Sequence, residues 1–154
     1  MKIKDIIREK EVTLSFEVFP AKTDAGYEAV EKAAAEIAAL KPDFMSVTYG
    51  AGGGTSKNTA NIAADLQNKY ETPVLAHLTC VSSTKEYVKE MISVYKEKGI
   101  ENIMALRGDI PKEGRVCFDY DHATQLIYDI KSLDESICIG GACYPEGHVE
   151  CARQ

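Results

Sequence analysis

Val74-Leu-Ala-His-Leu-Thr-Cys-Val-Ser-Ser-Thr-Lys-Glu-Tyr-Val-Lys-Glu-Met-Ile-Ser-Val-Tyr-Lys-Glu-Lys-Gly99 reads as a strand, a polar turn and a helix, in that order. Val74 to Thr79 is a short apolar run opened by Thr72-Pro73, with the length and flanks of a buried strand. Ser82-Ser83-Thr84 offers hydroxyls that can cap a helix. Behind them Tyr87, Val88, Met91, Ile92 and Tyr95 recur at helical spacing. Gly99, after Lys98, is a natural helix stop.

The same layout recurs along the chain. Thr13-Leu-Ser-Phe-Glu-Val-Phe-Pro20, Phe44-Met-Ser-Val-Thr-Tyr-Gly50, Ile103-Met-Ala-Leu-Arg-Gly-Asp109 and Ile137-Cys-Ile-Gly-Gly-Ala-Cys-Tyr-Pro-Glu-Gly-His148 are apolar runs that end in polar clusters. Helical patterns separate them. Tyr27, Val30, Ala34 and Ile37 mark one, with Thr23 or Asp24 as its cap. Ile62, Ala63 and Leu66 mark another, over about residues 57–70. Leu126, Ile127 and Ile130 mark a third, over about 123–133. Ile3, Ile6 and Ile7 give the first ten residues a short capping helix. Val12, Leu14, Phe16 and Val18 alternate with Thr13, Ser15 and Glu17, so the first strand is expected over Val12–Phe19. Strands alternating with helices predict a parallel sheet in an α/β fold. Polar residues gathered at the carboxyl ends of such strands mark the site of a barrel enzyme.

Five such steps are present, the last unfinished. A closed (β/α)8 barrel needs about 250 residues, and the chain has 154. Two architectures therefore stand: a small open sheet, or about the first five βα units of a TIM-type barrel. Nothing in the sequence protects the edges an open sheet would have. Residues 1–154 read as a single domain, with no linker, repeat or low-complexity tract.

Composition narrows the function classes. The 45% hydrophobic content is globular. A net charge of −6 argues against a nucleic-acid partner. No run approaches the roughly 18 apolar residues of a membrane span, and the charged start Met1-Lys-Ile-Lys-Asp lacks a secretory apolar region. With five cysteines, an odd number, the chain reads as cytoplasmic with reduced thiols. Cys138 and Cys143 fit no common zinc spacing, no metal is expected, and all five cysteines read as packing residues. Tyr27, Tyr70, Tyr87, Tyr95 and Tyr128 read the same way.

The candidate chemistry lies in the clusters. Glu17 sits on the polar parity of an apolar strand. Burial there would raise its pKa and suit it to general-acid work, or it is a structural carboxylate paired with a buried cation. His77 is flanked by apolar residues and is either a satisfied core histidine or a functional imidazole. Arg107 and Asp109 share a parity at a strand end. Arg107 offers a fork for an anion, with Gly108 leaving room for a flat ligand, or the two charges pair internally. Gly50-Ala-Gly-Gly-Gly54 matches no phosphate-loop fingerprint; it is a flexible turn or a close-approach loop.

Together, Ser15-Phe-Glu-Val-Phe-Pro20, Ser46-Val-Thr-Tyr-Gly-Ala51, Ala76-His-Leu-Thr-Cys80, Ala105-Leu-Arg-Gly-Asp109 and Tyr144-Pro-Glu-Gly-His148 resemble the methylenetetrahydrofolate reductase family, in family order. Where the family usually has a second proline after Phe-Pro, this chain has Ala21. The resemblance covers nearly the whole chain and the first half or so of the family's catalytic barrel. It implies a flavoprotein of one-carbon metabolism and methionine biosynthesis. Such an enzyme uses FAD, and NADH or NADPH as donor, to reduce 5,10-methylenetetrahydrofolate to 5-methyltetrahydrofolate. By motif it implies catalytic roles for Glu17, as the acid, and for Asp109. It implies flavin contacts at Thr48, Tyr49, Ala51, His77, Arg107, Gly108, Asp109, Ala123, Tyr144 and His148. The complete enzyme is expected to be a homo-oligomer. The alternative is a non-catalytic flavin-binding or interaction half-barrel that needs a partner, such as a second subunit, or its missing C-terminal half.

Overall fold

The apolar runs pair edge to edge into one sheet. The computed structural model describes residues 1–21, 24–50, 56–111 and 114–147. Its elements are α1 (Ile3–Glu9), β1 (Ser15–Val18), α2 (Asp24–Ala38), β2 (Phe44–Val47), α3 (Ser56–Tyr70), β3 (Val74–Thr79), α4 (Lys85–Glu97), β4 (Asn102–Leu106), α5 (Ala123–Leu133) and β5 (Cys138–Gly141). Every strand pairing is parallel and the order is β1-β2-β3-β4-β5. A doubly wound sheet reverses its strand order at a switch point; a (β/α)8 barrel adds each strand beside the last. The sequential order makes this α/β chain a partial TIM-type barrel.

Register sorts the strand residues onto two faces. Met45, Val47, Val74, Ala76, Leu78, Ile103 and Ala105 are fully buried on one. They share a core with Ala34 and Ala38 of α2, Ile62 and Leu66 of α3, Val88 and Ile92 of α4, and Leu126 and Ile130 of α5. The helices form because their apolar residues recur at helical spacing and need this face. Thr84 caps α4 by accepting a hydrogen bond from Tyr87 N. Gly99 takes φ +73° just beyond that helix, a conformation that favours glycine.

The opposite face corresponds to a barrel interior. At its amino end α1 lies across it. Ile3 and Ile6 pack with Leu75, and Phe44 and Met104 close around them. Asn102, with no exposed surface, accepts from Ile3 N and donates to the carbonyls of Met1 and Val74. Burying Ile3 and Ile6 is worth about 1.5–3 kcal/mol each.

Several expectations need correction. The alternation of Val12–Phe19 outruns the strand. Val12 and Leu14 are 81% and 52% exposed, because β2 begins at Phe44, opposite Ser15. Leu14 N donates instead to the Asp43 carboxylate, which Lys10 also engages; these two contacts hold the Asp43 carboxyl below its ordinary pKa. Ile7 is exposed, as are Tyr70 and Tyr128, so these three are not core residues. Cys143 is exposed, Cys117 and Cys138 are partly buried, and Cys80 is buried. Thr23 and Cys151 lie outside the described residues.

Candidate active site

Past Leu75 the inner face turns polar. β1 and β2 pair with Glu17 beside Ser46, and β2 and β3 pair with Ser46 beside Leu75. His77, two residues on from Leu75, shares its face. Ser46 Oγ donates to Glu17 Oε2 at 3.1 Å. His77 Nε2 stands 3.6 Å from the same oxygen, too far for a hydrogen bond. Three adjacent strands therefore deliver a hydroxyl, a carboxylate and an imidazole to one spot. Sequence reasoning named Glu17 and His77 but gave no role to Ser46, a small polar residue in an apolar strand.

The environments of the two titratable groups differ. The Glu17 side chain is 46% exposed, so the expected burial of this carboxylate is not found. His77 is buried, and the loss of hydration pushes its imidazole below the ordinary histidine value; the nearby Glu17 charge offsets part of this. Its Nε2 has no hydrogen-bond partner among the described residues. Behind it, Tyr95 of α4 donates its hydroxyl to the His77 carbonyl at 2.8 Å. The centre of β3 is thus fixed to the helix layer. Cys80, one residue beyond β3, is fully buried, and burial pushes its thiol up to about 11. It is a packing residue with little thiolate near neutral pH.

The remaining candidates spread around the strand ends. Thr48 N donates to Val18 O, and Thr48 O accepts from Thr59 Oγ1. Tyr49 packs in the helix layer, its hydroxyl 2.9 Å from that of Tyr87, so its side chain is not on the inner face. The Arg107 carbonyl accepts from both Cys80 N and Val81 N, which ties the end of β4 to the end of β3. Arg107 Nε donates to the Gly108 carbonyl. Gly108 has φ +82°, and a Cβ there would lie 2.9 Å from Thr79 Cβ and 3.1 Å from Val81 Cγ1. The chain's own packing already requires this glycine, a reason distinct from room for a flat ligand. Asp109 is exposed, Ala123 opens α5, and Tyr144 is exposed beyond β5. Ala51 and His148 lie outside the described residues.

One structured segment was not anticipated. The loop after β4 is held by Arg115, whose guanidinium pairs with Asp121 at 2.8 Å, donates to the Tyr120 carbonyl and stacks on Phe118. Tyr120 is buried, and its hydroxyl donates to Asp129 on α5. These contacts depend on Arg115, Phe118 and Asp121 meeting in space and on Tyr120 reaching Asp129 of α5, which their order along the chain does not announce.

The flavin implied by the resemblance needs polar groups at a mouth with solvent excluded behind it. The orphaned, buried His77 Nε2, the adjoining Ser46 and Thr79, and the apolar floor made by Leu75 and α1 fit that need. Among the described residues no group of three or more His, Cys, Asp and Glu could hold a metal ion, and no helix is long and apolar enough to cross a membrane.

Comparison with known proteins bears on the fold and on the family. In overall path the chain is similar to 4-hydroxy-tetrahydrodipicolinate synthase from Methylacidiphilum fumariolicum SolV, a TIM-barrel enzyme. The TM-score is 0.56 over 88% of this chain and 45% of that one, at 13% identity, which speaks to the fold alone. By sequence it is 37% identical to methylenetetrahydrofolate reductase 2 of Schizosaccharomyces pombe, over 97% of this chain and 25% of the relative. It is 36% identical to 5,10-methylenetetrahydrofolate reductase of Pectobacterium carotovorum subsp. carotovorum, over 90% of this chain and 46% of the relative. Methylenetetrahydrofolate reductase (NADH) 1 of Arabidopsis thaliana is 34% identical over 96% of this chain and 26% of its own length. The chain thus spans a quarter to about half the length of these curated relatives. The model of one family, methylenetetrahydrofolate reductase, matches residues 2–153, and the chain belongs to that family.

Proposed function

We propose that this chain contributes the first five βα units of a cytoplasmic catalytic barrel. That barrel reduces 5,10-methylenetetrahydrofolate with FAD and a nicotinamide donor, NADH or NADPH. The observation that carries the reading is the meeting of Glu17, Ser46 and His77 at the carboxyl end of the sheet, with a buried imidazole nitrogen left without a hydrogen-bond partner. When bound, the flavin supplies the hydride chemistry, and the protein supplies binding, orientation and charge.

Each residue then has a task. His77 Nε2 and Thr48 offer hydrogen bonds to the cofactor, and Arg107 offers positive charge to its anionic part. Gly108 and Ala123 bring backbone close; Tyr49, with its ring in the helix layer, offers its backbone too. Tyr144 offers a further contact beyond β5, and the family resemblance implies two more at Ala51 and His148, which lie outside the described residues. Asp109 sits where cofactor and folate meet. Glu17 holds the proton that leaves for the folate ring nitrogen as that ring opens, and its solvent-facing side allows it to be reprotonated from the mouth. The assembled enzyme is a homo-oligomer.

The test separates two half-reactions. In the complete barrel, Glu17→Gln is expected to slow folate reduction by about 100-fold or more. Anaerobic bleaching of the flavin by the nicotinamide should keep its rate, because that step needs no proton for folate. Equal loss of both removes Glu17 from the acid's role. Flavin binding without any reduction of folate would favour the non-catalytic half-barrel.

A further inference from the structure

A glutamate on a strand with a half-exposed side chain has several rotamers open to it, and an acid that delivers a proton at one atom must be restrained. At Glu17 the restraint comes from the neighbouring strand. Ser46 is 8% exposed and is paired in register on both sides, with Glu17 across one ladder and Leu75 across the other. Its hydroxyl donates to Glu17 Oε2 at 3.1 Å. The same Oε2 faces His77 Nε2 at 3.6 Å.

We propose that Ser46 is a positioning residue for Glu17, holding Oε2 against the sheet so that Oε1 is the oxygen presented to a ligand. The inference rests on the acid role given to Glu17 above. A hydroxyl has one proton to donate, and here it goes to Oε2. A proton carried by the carboxyl group therefore sits on Oε1. When that proton leaves for the substrate, the O–H bond at Oε1 breaks and its electron pair stays on the carboxylate. The new charge is met at Oε2 by a charge-assisted hydrogen bond already in place. Ser46 thus sets the delivering atom and stabilises the conjugate base.

A structural serine that merely fills space would do neither, and His77 can tell the two apart. Among the described residues Glu17 is the charged group that acts on His77, and its charge raises the imidazole pKa against the effect of burial. The experiment follows the imidazole nitrogens of the complete barrel by NMR against pH, with His77 assigned through His77→Gln. Glu17→Gln removes the charge and should lower the His77 midpoint. Ser46→Ala releases the carboxylate toward solvent, which weakens its pull on the imidazole. The midpoint should therefore fall in the same direction by a smaller amount. Ser46→Thr keeps the hydroxyl and should restore the parent value. A Ser46→Ala midpoint that is unchanged or raised overturns the proposal, as does a Ser46→Thr value that follows Ser46→Ala.

A second arm reads the chemistry. In the complete barrel, Ser46→Ala should slow folate reduction about tenfold, close to the loss of one hydrogen bond to a charged group, with flavin bleaching unchanged and Ser46→Thr near parent rate. The two ideas fail separately. Normal folate reduction in Glu17→Gln removes the acid, while the NMR result still decides the hold of Ser46. An unmoved His77 midpoint in Ser46→Ala removes the hold and leaves the acid standing.

Discussion

Gly108 shows how a single position can serve packing before it serves any ligand. Its φ of +82° is unfavourable for a side chain, and a Cβ would sit 2.9 Å from Thr79 Cβ. Gly108→Ala is therefore expected to destabilise the chain by about 1–3 kcal/mol, lowering Tm by about 2–4 °C per kcal/mol for a chain of this size. Calorimetry measures it, and an unchanged Tm would show that the strand end relaxes freely. The sequence showed a glycine at a strand end; it did not show that Thr79 and Val81 stand against it, because that neighbour relation comes from pairing across 29 residues of chain. Ser46 was hidden for a similar reason. A serine between Met45 and Val47 looks like a solvent-facing alternation until register places Glu17 beside it. Glu17 and His77 were legible because a charge and an imidazole inside apolar runs are costly to place without purpose.

Elements whose patterns were complete within themselves were the most legible. β3 spans Val74–Thr79 as expected, with every residue buried. The apolar stripe of α4 gives buried Val88, Met91, Ile92 and Tyr95. The alternation over Val12–Phe19 is longer than β1 because a period-two pattern does not stop where the partner strand stops. The role of α1 was only half visible. Its isoleucines predict a helix, but not that the helix lies across the inner face and is secured by Asn102 from β4. Asn102→Ala is expected to leave Ile3 N and the Met1 and Val74 carbonyls without this partner, at about 1–3 kcal/mol for each group that stays buried and unsatisfied. Hydrogen exchange should then accelerate in residues 3–9 well before it does in β3. Unchanged protection of α1 would show that Ile3 and Ile6 hold it alone.

At the scale of the molecule, β1 and β5 each have one partner strand among the described residues, and the polar part of the inner face has no opposite wall among them: α2 to α5 pack on the outer face, and α1 covers the amino end of the inner one. Such edges invite pairing, and a cofactor gripped by one wall gains little from binding. The 154-residue chain on its own is therefore expected to bind FAD weakly or not at all and to associate. Size-exclusion chromatography read at the flavin absorbance tests this, and a monomeric, stoichiometrically yellow chain would overturn it. The floor made by α1 has a consequence for traffic. With Ile3 and Ile6 seated on Leu75, the inner face is stopped at its amino end, and once the rest of the barrel wall is in place the strand ends are the doorway left. Whatever reaches the spot where Glu17, Ser46 and His77 meet must depart by the door it came through, and two visitors that need the same place must queue.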